Sequence, residues 1–402
     1  MKNASSAERS ALAARARHIA QSLPPLSRGP DGRLTPQSRQ IMQKRIEMIL
    51  KQNRAVGASV VLCPPDAPAD FFHFGHARLK PRIPVTQSTC FRIASVSKLV
   101  MSFAALSLME DGVVKLDEDI SAYLGYPVRH PAHPDIPVTL RMLLTHSAAI
   151  TDAGSYGTRG MQPGCTLREL LESPACWRDS APGEAFHYSN LGAGAAGVVL
   201  ERAAGMPFDD ILKARVFDPL GIRASYDPRR IVPADDLSDG YSVRGFFPPF
   251  PPQLRYDAAS LAARPSEAFD PERDYLIAAG RMITDSSGME QLLRLLASKD
   301  GMGVLSGESL SLMRAPQRGA PGIRDMDRGL NTAFLPGVFP GFSPVGHQGV
   351  AYGMCAELFA DPAAGACVGV MTSGVRLVKA PPLMRVGFDL LALGFAALGQ
   401  IG

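Results

Sequence analysis

The chain has 402 residues, 46% of them hydrophobic and 20% charged, enough apolar material for one large domain or two intimate ones and too much for a disordered chain. Its net charge of +4 is spread out with no block of five like charges, so neither nucleic acid nor an anionic membrane is an expected partner. The six cysteines (Cys63, Cys90, Cys165, Cys176, Cys355, Cys367) form no Cys-x-x-Cys pair, and most sit in apolar surroundings, which argues against both a zinc site and a disulfide framework.

Residues 1–36 read as an N-terminal extension, with an Ala/Arg-rich helix over Ala11 to Leu23 and a Pro/Gly loop from Pro24 to Pro36. Lys2, Glu8, Arg9, Arg15 and Arg17 leave no apolar core for a secretory signal, so the expected location is the cytoplasm. A second helix pattern starts near Gln37. Ala55 to Cys63 and Asp70 to His76 read as strands joined in a hairpin through Pro-Asp-Ala-Pro, and a third strand, Cys90 to Ile93, runs into Ser95.

From Gly112 to about Ser286 the pattern is helices between long Pro/Gly-rich loops, clearest over Val138 to His146 and Leu191 to Phe217, and this block looks inserted. Beyond it, Met289 to Leu296 and Gly307 to Met313 read as helices. Arg328 to Leu335, Pro344 to His347, Gly353 to Asp361 and Ala366 to Ser373 read as strands that can join those from the front of the chain in one sheet. The apolar tail Pro381 to Ile401 is interrupted by Arg385 and Asp389, and reads as a core helix rather than a membrane span. The proline-dense stretch Phe246 to Pro252 suits a rigid loop bordering a cleft better than a partner-binding segment.

Three stretches carry chemistry. In Ser95-Val96-Ser97-Lys98 the serine stands at the mouth of an amphipathic helix (Val96, Leu99, Val100, Phe103, Leu106) that Gly112 closes. Three-residue spacing puts Lys98 on the same face as Ser95, where an amine whose pKa is lowered by burial or by positive surroundings takes the hydroxyl proton. Tyr188 and Asn190, two residues apart at a turn into a helix, point one way. A tyrosine beside an ammonium has an accessible phenolate and can shuttle a proton to a leaving group. Gly346-His347-Gln348-Gly349-Val350 is the third, where glycine lets a substrate or another backbone approach closely. Neither a Gly-x-Ser-x-Gly elbow nor a phosphate cradle is present. Gly154, Gly157, Gly160 and Gly164 lack the lysine and helix start of a cradle, and His73 and His76 face opposite sides of a strand, so no metal or cofactor is expected.

In this order the stretches resemble the serine β-lactamase and penicillin-binding-protein superfamily, in its class C β-lactamase-like branch of esterases, peptidases and acyltransferases. The likeness runs from about Ala55 to Ser373 and includes Val138 to Ser147 and Phe217-Asp218-Pro219-Leu220-Gly221. It implies an α/β sandwich with an antiparallel sheet, assembled from residues 37–111 and 287–402, and a mainly helical domain inserted at 112–286. By position it implies Ser95 as acylated nucleophile, Lys98 and Tyr188 as proton-transfer pair, and Asn190, His347, Gly349 and Val350 at the substrate, with the Ser95 and Val350 N–H groups as oxyanion hole. The implied activity is hydrolysis of a small ester or amide. Acyl transfer, or a silent ligand-binding protein on the same scaffold, is the alternative. His347-Gln348-Gly349 stands where carboxylate-binding relatives often have Lys-Thr-Gly, and a neutral imidazole anchors an anion poorly, which disfavours a dedicated β-lactamase. Gly280-Arg281-Met282 replaces the usual Gly-Gly-Leu, so that Arg281 either brings a fixed positive charge to the cleft or is simply solvent-exposed.

Overall fold

The computed structural model describes residues 5–153, 165–245, 251–264, 269–317 and 328–401. The loop glycines Gly154 to Gly164 and all but Pro251 and Pro252 of the proline-dense stretch lie outside them.

Seven antiparallel strands form the main sheet: β1 (Gly57–Cys63), β2 (Asp70–Leu79), β3 (Arg82–Pro84), β4 (Ala333–Phe334), β5 (Val345–Ala351), β6 (Met354–Asp361) and β7 (Ala366–Ser373). Their order is β3-β2-β1-β7-β6-β5-β4, so the two ends of the chain do share one sheet, joined where β1 meets β7 with Val61 opposite Gly369. The hairpin expected over residues 55–76 is present as β1 and β2.

Every residue of β1 is buried, and the strand alternation divides it between two cores. Ala58, Val60 and Leu62 belong to one and Val61 and Cys63 to the other. On the first side lie α1 (Ser6–Ser22), α2 (Pro36–Gln52) and the last long helix, Arg385–Ile401. On the other lie α3 (Val96–Glu110) and the helix Ser286–Ala297. The last helix packs flat on the sheet because glycine faces it: a Cβ on Gly394 would stand 2.8 Å from Val368 Cγ1. Arg15 of α1 forms a two-pronged ion pair with Asp389 of that helix at 2.6 Å, tying the two helices together.

Several elements differ from the sequence reading. The strand leading into Ser95 is only Phe91–Arg92, and it pairs with Ile283–Thr284, which also pairs with Ala224–Ser225, in a small sheet apart from the main one. The helix expected over Val138 to His146 shrinks to Leu140–Leu144, because Thr139 caps it and His146 turns to φ +57°. The one expected from Leu191 to Phe217 breaks at Gly205 (φ +64°) and Pro207, leaving α4 (Asn190–Ala204) and a second piece from Phe208. The strand pair Gly240–Ser242 and Gln253–Tyr256 was not legible at all.

Candidate active site

Helix α3 fixes the site. Its fifteen residues are buried but for the last two, so it is a core helix, and Lys98 in its first turn is the one ionisable side chain of the buried stretch. Ser95 precedes it and Ala94 takes a left-handed φ of +47°, a strained conformation for a residue with a Cβ, which turns the serine out of the core and leaves it partly exposed. Lys98, one turn on, has no exposed surface at all.

The Lys98 amine is within hydrogen-bond distance of three oxygens: Ala279 O at 2.5 Å, Asn190 Oδ1 at 2.8 Å and Ser95 Oγ at 3.2 Å. Burial lowers its pKa to about 7, against the opposing pull of Asp152 and with a smaller lowering contribution from Arg92. A neutral amine has two N–H donors and one lone pair. Ala279 O and Asn190 Oδ1 only accept, so both donors are used on them and the lone pair is left for the Ser95 hydroxyl. The orientation of the Asn190 amide follows from its other end, where Nδ2 donates to Asp152 Oδ2 at 3.0 Å.

On its other side Ser95 Oγ accepts from the Tyr188 hydroxyl at 2.8 Å, and the Tyr188 ring centroid lies 5.0 Å from the Lys98 nitrogen. Burial pushes the phenol well above its ordinary value, outweighing the lowering effect of the Ser95 hydrogen bond. This corrects the accessible phenolate expected above: the lysine is the group whose proton is loosened, and the tyrosine rests as the phenol.

Strand β5 forms the next wall. Gly349 is packed so tightly that a Cβ there would stand 2.9 Å from the Ser95 nitrogen and 3.1 Å from that of Val96. His347 faces the same side, buried, with its ring centroid 6.4 Å from that of Tyr188, while Val350 turns its side chain into the opposite core and leaves only its backbone for the cleft. Burial, reinforced by Lys98, pushes the His347 imidazole down to about 3, so it is neutral at pH 7. Thus Ser95, Lys98, Tyr188, Asn190, His347 and Gly349 converge.

Three residues of this site were not singled out from the sequence. Asp152 accepts from Ser189 Oγ (2.8 Å), Asn190 N (3.1 Å) and Leu191 N (3.0 Å), holding the start of α4 and with it both Tyr188 and Asn190. Asn331 donates to Lys98 O at 3.0 Å and Ser102 Oγ at 2.9 Å, bracing α3 from outside. Arg328 stacks on Phe186 at 4.2 Å and lines a small cavity with His146, Tyr188 and His347. Among the described residues no cluster of three or more histidine, cysteine or acidic side chains is suited to a metal ion.

The profile of the Beta-lactamase family matches residues 39–386, which takes in every one of these side chains. The chain belongs to the β-lactamase family. Similar curated proteins include esterase EstB of Burkholderia gladioli, 30% identical over 253 residues that make up 56% of this chain and 62% of that one. The D-alanyl-D-alanine-carboxypeptidase/endopeptidase AmpH of Escherichia coli is 28% identical over 39% of this chain and 42% of its own. The matches thus span less than two thirds of these relatives. Among solved structures, a D-amino acid amidase of Ochrobactrum anthropi superimposes with a TM-score of 0.65 at 22% identity, covering 88% of this chain and 98% of its own. A penicillin-binding protein homologue of Pyrococcus abyssi, described as octameric, gives 0.68 at 21% identity, over 88% and 76%. The last two show the shared mixed α/β fold with its antiparallel sheet. Within this β-lactamase-family chain, no helix among the described residues is long and apolar enough to cross a membrane.

Proposed function

We propose that the protein is a serine hydrolase that forms a covalent acyl intermediate on Ser95 and hydrolyses a small ester or amide. The observation that carries it is the arrangement around Ser95 Oγ, with an amine lone pair on one side and a phenol hydroxyl on the other. Lys98 takes the serine proton as Oγ attacks the carbonyl. The Ser95 and Val350 N–H groups receive the oxyanion, Tyr188 gives its hydroxyl proton to the leaving group while the Lys98 ammonium returns one to the phenol, and Asn190 holds the lysine and the substrate amide. Water then attacks the acyl-enzyme by the same route reversed.

His347 is neutral and enclosed, which supports an esterase or amidase in place of a carboxylate-anchoring β-lactamase. The similarity to an esterase and to a D-amino acid amidase supports the same reading. We propose the cytoplasm as its location, on the strength of six free cysteines, five of them buried. We also keep the division into an extension (1–36), a sandwich (37–111 with 287–402) and an inserted domain (112–286) as a proposal.

The test is a fluorophosphonate probe and a panel of p-nitrophenyl esters and D-amino-acid amides on wild type and Ser95→Ala. Labelling and turnover are expected to disappear in the variant, with kcat down on the order of 10⁵-fold or more, and labelling that persists in it overturns the assignment. An acceptor alcohol that raises product release would reveal acyl transfer by the same intermediate.

A further inference from the structure

Two arginines, Arg92 and Arg281, flank the turn that presents Ser95 and take no part in the proposed chemistry. Residues 279–281 run along the turn that presents Ser95. Ala279 O accepts from Lys98, Gly280 O accepts from Arg92 Nε at 2.7 Å, and the Gly280 backbone packs against the Ala94 peptide. Arg281 comes next. The Arg92 guanidinium lies between two tyrosine rings, 5.3 Å from Tyr256 and 5.1 Å from Tyr352, the latter 53% exposed at the rim. Arg281 lies 6.0 Å from the Phe269 ring. The two guanidinium groups are close enough that each pulls down the Tyr256 phenol, against the larger raising effect of burial, and Arg281 adds to the burial that lowers Arg92.

Among the described residues neither arginine has a carboxylate within ion-pair distance, although the chain places eighteen other ion pairs. The two positive charges repel one another, eased by the tyrosine rings around Arg92 and by Asp239 and Asp227, which act more weakly on the same Tyr256 phenol. The position is also distinct from His347 and Arg328, which line the cavity beside Tyr188.

We propose that Arg281, with Arg92 beside it, is the substrate-specificity determinant of this cleft and binds a carboxylate carried by the ester or amide substrate. Resting on the Ser95 hydrolase reading, this moves anion recognition from the strand that carries His347 to the wall formed by Arg92, Tyr256 and Tyr352. The planar guanidinium of Arg281 offers paired N–H donors that suit a carboxylate.

The experiment compares kcat/KM of the full chain for three hexanoyl-length esters. The neutral one is p-nitrophenyl hexanoate, mono-p-nitrophenyl adipate carries a carboxylate on the acyl part, and 4-(hexanoyloxy)benzoate carries one on the leaving group. Wild type is expected to prefer one of the two charged esters. In Arg281→Gln the ratio of that ester to the neutral one falls roughly ten- to a hundredfold, mainly through KM, as loss of a charge-assisted hydrogen bond requires. Arg281→Lys restores part of the ratio, and Arg281→Glu inverts it towards an ester bearing a terminal amine. Which charged ester responds tells where the carboxylate sits. Equal loss on charged and neutral esters, or an unchanged ratio for both charged esters, overturns the proposal. Ser95→Ala keeps the two readings apart: turnover surviving in it sinks the hydrolase reading itself, whereas a dead Ser95→Ala with an unmoved ratio in Arg281→Gln sinks only the anion site.

Discussion

Strand β5 has two faces, and burial has opposite chemical results on them. Towards α3 it sets Gly349 and His347 against Ser95 and the fully enclosed Lys98. Towards the last helix it lays Gln348 on Glu357, a carboxyl group with no exposed surface whose Oε1 accepts from the Gln348 amide and fills the space where Gly387 lacks a side chain. Both groups are driven towards their neutral forms by loss of water, the lysine downward to about 7 and the acid upward to about 8. Only the lysine is also next to a hydroxyl that reaches the cleft. A perturbed ionisable group is therefore a reagent on one side of a strand and a packing element on the other, and the neighbour decides which.

The comparison can be broken from the site side first. Lys98→Met removes the lone pair that receives the serine proton, and kcat is expected to fall roughly 10²- to 10⁴-fold. In wild type the neutral amine accumulates as pH rises through about 7, so activity climbs through that window. The residual activity of the variant should have lost this limb. Steady-state kinetics from pH 5 to 9 check both.

Gly349→Ala forces a methyl group to within 2.1 Å of Ile93 O and against the Ser95 and Val96 nitrogens, and moves β5 off α3. A displacement of the reacting groups on the order of 1 Å costs about a hundredfold in rate, and the overpacking costs about 1–3 kcal/mol of stability by thermal or urea melting. Asp152→Asn keeps the shape but loses charge-assisted bonds at the start of α4, with an expected loss of about 1.5–3 kcal/mol. Asp152 also holds the Lys98 pKa up, so its neutralisation moves the acid limb of the activity profile to lower pH. A limb moving the other way would contradict the electrostatic link.

Glu357→Gln sharpens the contrast with the smallest effect on activity. The folded-state pKa of Glu357, about 8, lies above the value of 4.5 expected once unfolded, so the native protein keeps a proton that the unfolded chain has released. Stability therefore declines as pH rises from about 4.5 through 8, and the variant should flatten that slope in melts taken across the window. Activity should follow the same change only weakly.

How much of this was legible depended on how local the signal was. Ser95 and Lys98 share one helical turn, and the periodicity of Leu99, Val100, Phe103 and Leu106 gives that turn away in any single sequence. Tyr188 and Asn190 were readable as a pair, and their meeting with Ser95 was supplied by resemblance. Asp152 was not readable, because nothing in Ile150-Thr151-Asp152 says that the carboxylate closes on residues 189–191, up to 39 positions later. The long β1, β6 and β7 strands were plain from their apolar runs, whereas two-residue strands such as Phe91–Arg92 are set by partners rather than by pattern. The Tyr188 phenolate failed as an expectation because spacing reports neighbours and not the loss of water around them.

The junction between β1 and β7 bears on how the molecule is made. A nascent chain leaving the ribosome displays the apolar edge of β1 early, and its partner follows roughly three hundred residues later. During synthesis, therefore, half a sheet waits with unpaired backbone groups, sheltered at most by its own hairpin mate and by the first two helices. Pairing with β7 ends that exposure, and the helix that follows it, locked to Arg15 through Asp389, then covers the same face.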